Sequence, residues 1–309
     1  MFPTQNGSFR LFRFAGITVF LHWSWFVIAA IEVASRSSNY TSFKWNVAEY
    51  LALFCIVLMH EFGHSLACRQ VGGRADQIIL WPFGGVAYVD PPQRPGATLW
   101  SIAAGPLVNV ILFPILAFLY YVSLSHNWTS TMPDVAMFVQ AIAFINTMLL
   151  FFNLLPVFPL DGGQILRSLL WFFMGRSKSL KVTTIVGFVG VAGLIAFAVL
   201  SHSVWMFLIS AFVLMNCWSG FQTARVLARL EQLPRHDGFT CPSCHAAPPV
   251  GELWRCGNCQ TAFDPFVTGG QCPKCFTRYE TARCFDCGTS SPIAAWVRQE
   301  PPPIIIETK

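Results

Sequence analysis

His60-Glu61-Phe62-Gly63-His64 lies inside an apolar stretch running from Val47 to Leu66. On a helix, residues four apart share one face, so both imidazoles can ligate one zinc ion while Glu61, beside them, is placed to act as a general base. Two histidines and a carboxylate within a lipid-spanning helix are expensive; such residues face a cavity or a partner and carry function. Zinc-ligand spacing on a membrane-length segment therefore points to a metal-dependent hydrolase whose chemistry sits at bilayer depth.

The composition agrees with a membrane setting. Of 309 residues, 54% are hydrophobic and 11% charged, against roughly 25% charged in soluble domains. Residues 1–234 hold 13 Lys and Arg against 8 Asp and Glu, whereas the remainder has seven of each. The basic excess lies beside hydrophobic segments and reads as membrane topology, not as affinity for nucleic acid. Arg10 and Arg13 precede an apolar run from Phe14 to Val33. That run is long for the apolar core of a secretory signal, and Arg36 follows without a convincing small-residue cleavage site, so an uncleaved first transmembrane helix is expected.

Six segments, 14–34, 47–68, 98–124, 134–156, 182–200 and 204–221, each approach the ~20 residues that a helix needs to cross a bilayer. With both termini cytoplasmic, the loops holding Arg69, Arg74 and Arg94, then Arg167, Arg176, Lys178 and Lys181, then Arg225 and Arg229 all fall inside, leaving Arg36 and Lys44 outside. That arrangement satisfies the positive-inside rule. Between the second and third segments, residues 78–89 are apolar but too short to cross, and Pro82, Gly84 and Gly85 interrupt them. A re-entrant hairpin beside the metal site is expected, because non-helical backbone at that depth survives only against protein or a water-filled cavity. Its edge could pair with an unwound substrate strand, with Gly84 and Gly85 as substrate-binding positions.

Two histidines do not complete a catalytic zinc site, which usually has three protein ligands and an open position. The best third candidate is Asp161 in Asn153-Leu154-Leu155-Pro156-Val157-Phe158-Pro159-Leu160-Asp161-Gly162-Gly163. Pro156 and Pro159 stop the fourth helix, and the glycine pair allows close backbone approach at the metal.

At this point the chain resembles a known family. HEFGH at 60–64, WPFGG at 81–85, AAGPLVN at 103–109 and NLLPVFPLDGG at 153–163 are similar to the motifs of the site-2 proteases, intramembrane zinc metalloproteases, and in particular of their shorter prokaryotic branch. The resemblance implies that His60, His64 and Asp161 hold the catalytic zinc, that Glu61 is the catalytic base, and that Asn153 lies near the active site, where its amide could bind substrate backbone. Asn109 reads as structural, and His22 as a hydrogen-bonding residue near the catalytic centre. The implied activity is hydrolysis of peptide bonds in or near transmembrane segments of other membrane proteins. A catalytically vestigial, membrane-anchored adaptor that recruits a cytosolic partner is the alternative, and the intact Glu61 argues against it. A metal transporter would need further ligands along a path through the spans.

From residue 235 the chain becomes cysteine-rich. Cys241 and Cys244, Cys256 and Cys259, Cys272 and Cys275, and Cys284 and Cys287 form four C-x-x-C knuckles, enough for two four-cysteine structural zinc sites. On a reducing cytoplasmic side zinc is favoured over disulfides. The knuckles could pair sequentially, as tandem ribbons, or interleaved. Four thiolates on each zinc would carry the formally neutral region to about −4, which opposes phosphate binding; a cytosolic protein regulator is the expected partner and nucleic acid is not. The expected whole is an all-α polytopic membrane protein of about six transmembrane helices with a membrane re-entrant hairpin, plus a small C-terminal β-rich zinc-ribbon module. Its parts are a membrane-embedded metalloprotease domain over 1–234, a cytoplasmic tandem zinc-ribbon domain over 235–298 and a flexible tail over 299–309. Zinc is the expected cofactor, one catalytic and two structural ions, and the cytoplasmic membrane the expected location.

Overall fold

The computed structural model describes residues 7–35, 39–81 and 84–298. Pro82 and Phe83 at the expected hairpin tip, and the expected tail 299–309, lie outside the described residues. The chain divides into two compact units, 1–225 and 226–309.

The first unit is mostly helical: β1 (Ser8–Phe14), β2 (Ile17–His22), α1 (Ser24–Ser35), α2 (Phe43–Gln70), β3 (Arg74–Trp81), β4 (Gly84–Asp90), α3 (Pro95–Ser125), α4 (Trp128–Thr131), α5 (Pro133–Leu154), α6 (Asp161–Met174), α7 (Arg176–Leu200) and α8 (Val204–Gln232), the last running into the second unit. Among the described residues, α2, α3, α5, α7 and α8 are long and apolar enough to cross a membrane, which makes this a multi-pass membrane protein. Side chains such as Phe118, Tyr121, Phe144, Phe173 and Leu200 are exposed, as expected of surfaces that lipid covers.

The expected first transmembrane helix is corrected. Residues 14–34 form the end of β1, all of β2 and most of the 12-residue α1, which at about 1.5 Å per residue is some 18 Å long, well short of a ~30 Å hydrocarbon core. The segment nevertheless travels the length of α2. At one end the Arg69 guanidinium, in the last turn of α2, donates to the carbonyls of Ala15 and Gly16 in the β1–β2 turn. At the other, just before α2 begins, the Thr41 amide donates to Asp134 Oδ1 at 2.9 Å in the first turn of α5. Six strand residues at about 3.3 Å each and twelve helical ones at about 1.5 Å give ~38 Å, against ~42 Å for the 28 residues of α2. The segment is a strand followed by a short helix. Its cause is visible in β2, where Ile17, Val19 and Leu21 alternate inward and pack with Ile78, Leu80, Trp25 and Val57.

The hairpin is present and belongs to a larger element. β3 and β4 pair antiparallel, β2 joins β3 in parallel, and the sheet order is β1-β2-β3-β4. A four-stranded sheet therefore stands beside the helices of a mostly helical unit. β4 is an edge strand and packs against α2. α3 carries Pro106 and Pro114 internally and packs on α2, α5 and α6. Gly63 makes the α2–α3 approach close, since a Cβ there would lie 2.6 Å from the Ala104 carbonyl oxygen. α5 ends at Leu154, and α6 starts at Asp161 after an irregular stretch containing Pro156 and Pro159.

The second unit has little regular structure: β5 (Trp254–Arg255) pairs β6 (Ala262–Phe263), β7 (Thr281–Arg283) pairs β8 (Ser290–Pro292), and a 3₁₀ turn covers Ile293–Trp296. Trp296 is fully buried, and Phe266 lies 5.0 to 5.4 Å from the rings of Trp296, Phe239 and Trp254. Such a small core rarely holds so short a chain without metal.

Candidate active site and metal centres

α2 brings His60 and His64 to one buried face, and the break before α6 delivers Asp161 to them as the first residue of that helix. Asp161 Oδ2 lies 3.0 Å from His60 Nε2 and 3.3 Å from His64 Nε2, and the two Nε2 atoms are 3.1 Å apart. A tetrahedron with arms of about 2.0 to 2.1 Å has edges of about 3.3 Å, so these three donors match three corners of a zinc site and leave the fourth for a reactant. All three residues are largely shielded from solvent.

The far side of each imidazole is held. His64 Nδ1 lies 3.0 Å from the Ser101 carbonyl oxygen, and His60 Nδ1 lies 2.6 Å from Asn109 Oδ1. Both acceptors sit on α3. They draw the proton to Nδ1 and leave Nε2 bare for a metal. Asn109 reads as structural from the sequence, so its contact with a candidate ligand is a finding. Asn146 on α5, absent from the expected site, completes the chain: Asn109 Nδ2 donates to Asn146 Oδ1 at 2.9 Å, and Asn146 Nδ2 donates to the Asn109 carbonyl at 3.1 Å. The available signal is an asparagine inside an apolar span, which in lipid seeks a polar partner.

Glycines fit the backbone to these side chains. A Cβ on Gly105 of α3 would fall 2.2 Å from His64 Nε2, and one on Gly85 of β4 would fall 2.2 Å from Glu61 Cγ and 2.5 Å from Oε1. Gly85 thus places the β4 backbone directly on the Glu61 carboxyl group, whose Oε2 accepts the Ala87 amide proton at 3.0 Å. Gly84 pairs with Trp81 at the start of β4. Gly162 and Gly163 allow a different approach from the one expected: added Cβ atoms would meet the Leu154 and Leu155 carbonyls at 2.4 Å and the Phe158 amide at 2.5 Å, so they fold α6 back on the end of α5. Asn153 is half-buried near that end. His22 is not one of the three clustered donors; it bonds Ser24 Oγ at 2.5 Å and lies beside Trp81.

The eight knuckle cysteines form two four-sulfur clusters. Cys241, Cys244, Cys284 and Cys287 make one; Cys256, Cys259, Cys272 and Cys275 make the other. Sulfurs across the first are 3.7 Å apart (Cys241–Cys287 and Cys244–Cys284), and across the second 3.4 and 3.6 Å (Cys256–Cys275 and Cys259–Cys272). Tetrahedral zinc with arms of about 2.3 Å has edges of about 3.8 Å, which the clusters approach. The pairing is nested, first knuckle with fourth and second with third, and is neither sequential nor interleaved. Each knuckle is the same turn, in which the residue after the second cysteine adopts positive φ: 60° at His245, 58° at Gln260 and Phe276, and 77° at Gly288. The first cysteine's amide then bonds the carbonyl two residues beyond the second cysteine at 2.9 Å, as in Cys241 to Ala246 and Cys272 to Thr277. Hydrogen bonds from the Thr277 side chain and backbone bring the Cys275 thiol down to about 6. Burial alone would raise Cys287, yet bonds from Thr289 outweigh it and bring that thiol to about 7, while in the same clusters burial raises Cys244 to about 11 and neighbouring thiols help raise Cys272 to about 11; without metal each cluster thus shares its protons unevenly.

Comparison with known proteins agrees with this geometry. The family model described as peptidase family M50 matches residues 48–134 and 122–197. A zinc metalloprotease of Methanocaldococcus jannaschii is 33% identical over 247 residues, covering 80% of this chain and 70% of its own length. A Synechocystis protein, assigned by name to the zinc metalloproteases, is 28% identical over 252 residues, and the chain spans 65% of its length, slightly under two thirds. Among solved structures, the site-2 protease from Methanocaldococcus jannaschii aligns with a TM-score of 0.50 and 29% identity, over 69% of this chain and 95% of that one.

Proposed function

The chain belongs to peptidase family M50, the site-2 type of zinc metalloprotease, and from that premise we propose that it is an endopeptidase hydrolysing peptide bonds in or near transmembrane segments of other membrane proteins. His60, His64 and Asp161 are the residues that would hold the catalytic zinc, and their convergence at 3.0 to 3.3 Å carries the reading. When bound, zinc supplies Lewis acidity toward the scissile carbonyl and the attacking water. Glu61 takes the water's proton and returns it to the departing amide nitrogen. β4 is an edge strand lying on Glu61, so an unwound substrate segment paired to it, at Gly84 and Gly85, is presented to the base. A peptide bond inside a helix has its carbonyl engaged, so substrates with helix-weakening residues near the cut are favoured. Asn153, next to the last residue of α5, is the further substrate contact.

Both termini face the cytoplasm in this reading, since the β2–α1 crossing and five long helices make six passages and the basic loops stay inside. The two cysteine clusters each hold a structural zinc, and the ribbon module binds a cytosolic protein regulator. Glu61→Gln is the test. In purified lipid vesicles it is expected to keep the metal and to process a membrane-embedded reporter at least ~100-fold more slowly, the usual contribution of a general base. Equal processing by the variant would refute the protease reading and favour a recruiting adaptor.

A further inference from the structure

We propose that Asn146 is a positioning residue for the metal centre: it fixes the amide orientation of Asn109 and thereby the tautomer of His60. The inference rests on His60, His64 and Asp161 holding zinc. An asparagine side chain has two ends of similar shape and opposite hydrogen-bonding sense. If Asn109 presented its NH2 group to His60, Nδ1 would have to be the acceptor, and the ring proton would sit on Nε2, facing His64 Nε2 at 3.1 Å and Asp161 Oδ2 at 3.0 Å. A protonated Nε2 cannot ligate metal.

Nothing in the His60 contact alone excludes that orientation for the free side chain. Asn146 does. Its Oδ1 accepts from Asn109 Nδ2 at 2.9 Å, which sends the Asn109 oxygen toward His60 Nδ1 at 2.6 Å. Asn146 is itself locked by donation from Nδ2 to the Asn109 backbone carbonyl at 3.1 Å, an acceptor that cannot be reversed. Both asparagines are fully buried, so no water substitutes for a lost partner. Orientation thus passes from an α3 carbonyl through a side chain on α5, back to α3, and on to the imidazole of α2. His64 needs no such relay, because its Nδ1 meets the Ser101 carbonyl directly.

The relay makes a specific prediction. A carboxylate has two equivalent oxygens and no wrong orientation, so Asn109→Asp dispenses with the lock. The full-length protein in lipid nanodiscs would be exposed to graded concentrations of a zinc chelator and its residual zinc counted by mass spectrometry, with His60→Ala marking the zinc retained elsewhere in the chain. Asn146→Leu is expected to release the additional zinc at about 10- to 100-fold lower chelator concentration, the scale of lost support to a ligating histidine. Asn109→Asp/Asn146→Leu is expected to restore retention to within about threefold of the native chain, since the outer support is again present. Asn146→Asp, kept protonated by burial, accepts from Asn109 Nδ2 on one oxygen and donates its O–H to the Asn109 carbonyl on the other, so it is expected to hold zinc like the native chain, a readout that survives if the leucine variant fails to fold. Native-like retention by Asn146→Leu, a double variant no better than the single one, or a roughly tenfold loss in Asn146→Asp would each overturn the proposal. If His60→Ala retained as much zinc as the native chain, the metal-centre reading itself would fail instead.

Discussion

Gly85 and Glu61 are in such close contact that a single added methyl on the glycine would overlap the glutamate side chain, 2.2 Å from Cγ and 2.4 Å from Cδ. The strand on which substrate is proposed to pair and the residue proposed to move the proton are therefore positioned by one contact. In Gly85→Ala the carboxyl group must swing away and lose its bond from the Ala87 amide. Turnover is expected to fall by roughly 10- to 1,000-fold, within the range of general-base catalysis, while zinc content is unchanged. Simultaneous loss of zinc would show that the glycine supports the metal rather than the base.

Gly105→Ala should have the opposite signature. Its new methyl would meet His64 Nε2 at 2.2 Å, on the atom that faces the metal, and α3 cannot retreat without breaking the Gly63–Ala104 approach. Zinc affinity at this centre is expected to drop by about 10-fold or more, as for other changes that misplace a ligating histidine. A chelator titration that matched the native protein would count against the assigned ligand set.

Nested pairing can be read from zinc stoichiometry. Replacing Cys241 and Cys287 together with serine removes ligands from one cluster, whereas replacing Cys241 and Cys259 damages both. Native mass spectrometry is expected to find one fewer zinc in the first double variant and two fewer in the second. Sequential pairing of the knuckles would reverse that order.

The proposed passage of β2 and α1 through the membrane predicts sidedness. Arg13 and Asn39 are both exposed and bracket the β2–α1 segment. Single cysteines at these positions, in a background without reactive native thiols, are expected to react with an impermeant maleimide from opposite faces of sealed vesicles. Labelling of both from one face is the outcome that excludes this path.

The convergence of His60, His64 and Asp161 is legible in the sequence because each carries a local mark: helical spacing for the histidines, and prolines with glycines around the aspartate. The run from Phe14 to Val33 misleads because β2 is apolar at four of its six positions, three of them consecutive. Ile17, Val19 and Leu21 face inward, but Phe20 between them is also hydrophobic, so the two-residue period that identifies a strand is masked. Only the Ala15-Gly16 turn, with both residues at positive φ, marks the break. Asn146 lacks any motif, and its role depends on a neighbour 37 positions away. The knuckle pairing is also long-range: the spacings describe four identical turns and contain nothing about which turn meets which.

Because the outermost cysteine turns meet each other, the module's two ends are stitched together. Thr240 donates its amide to the Trp296 carbonyl at 2.7 Å, and Phe239 bridges to Val297. The polypeptide thus leaves this module at the spot where it arrived from α8. A pull applied between Gly238 and Arg298 is borne by one four-sulfur clasp and a few backbone bonds, and the inner cluster lies outside that line of tension like a bead on a closed loop.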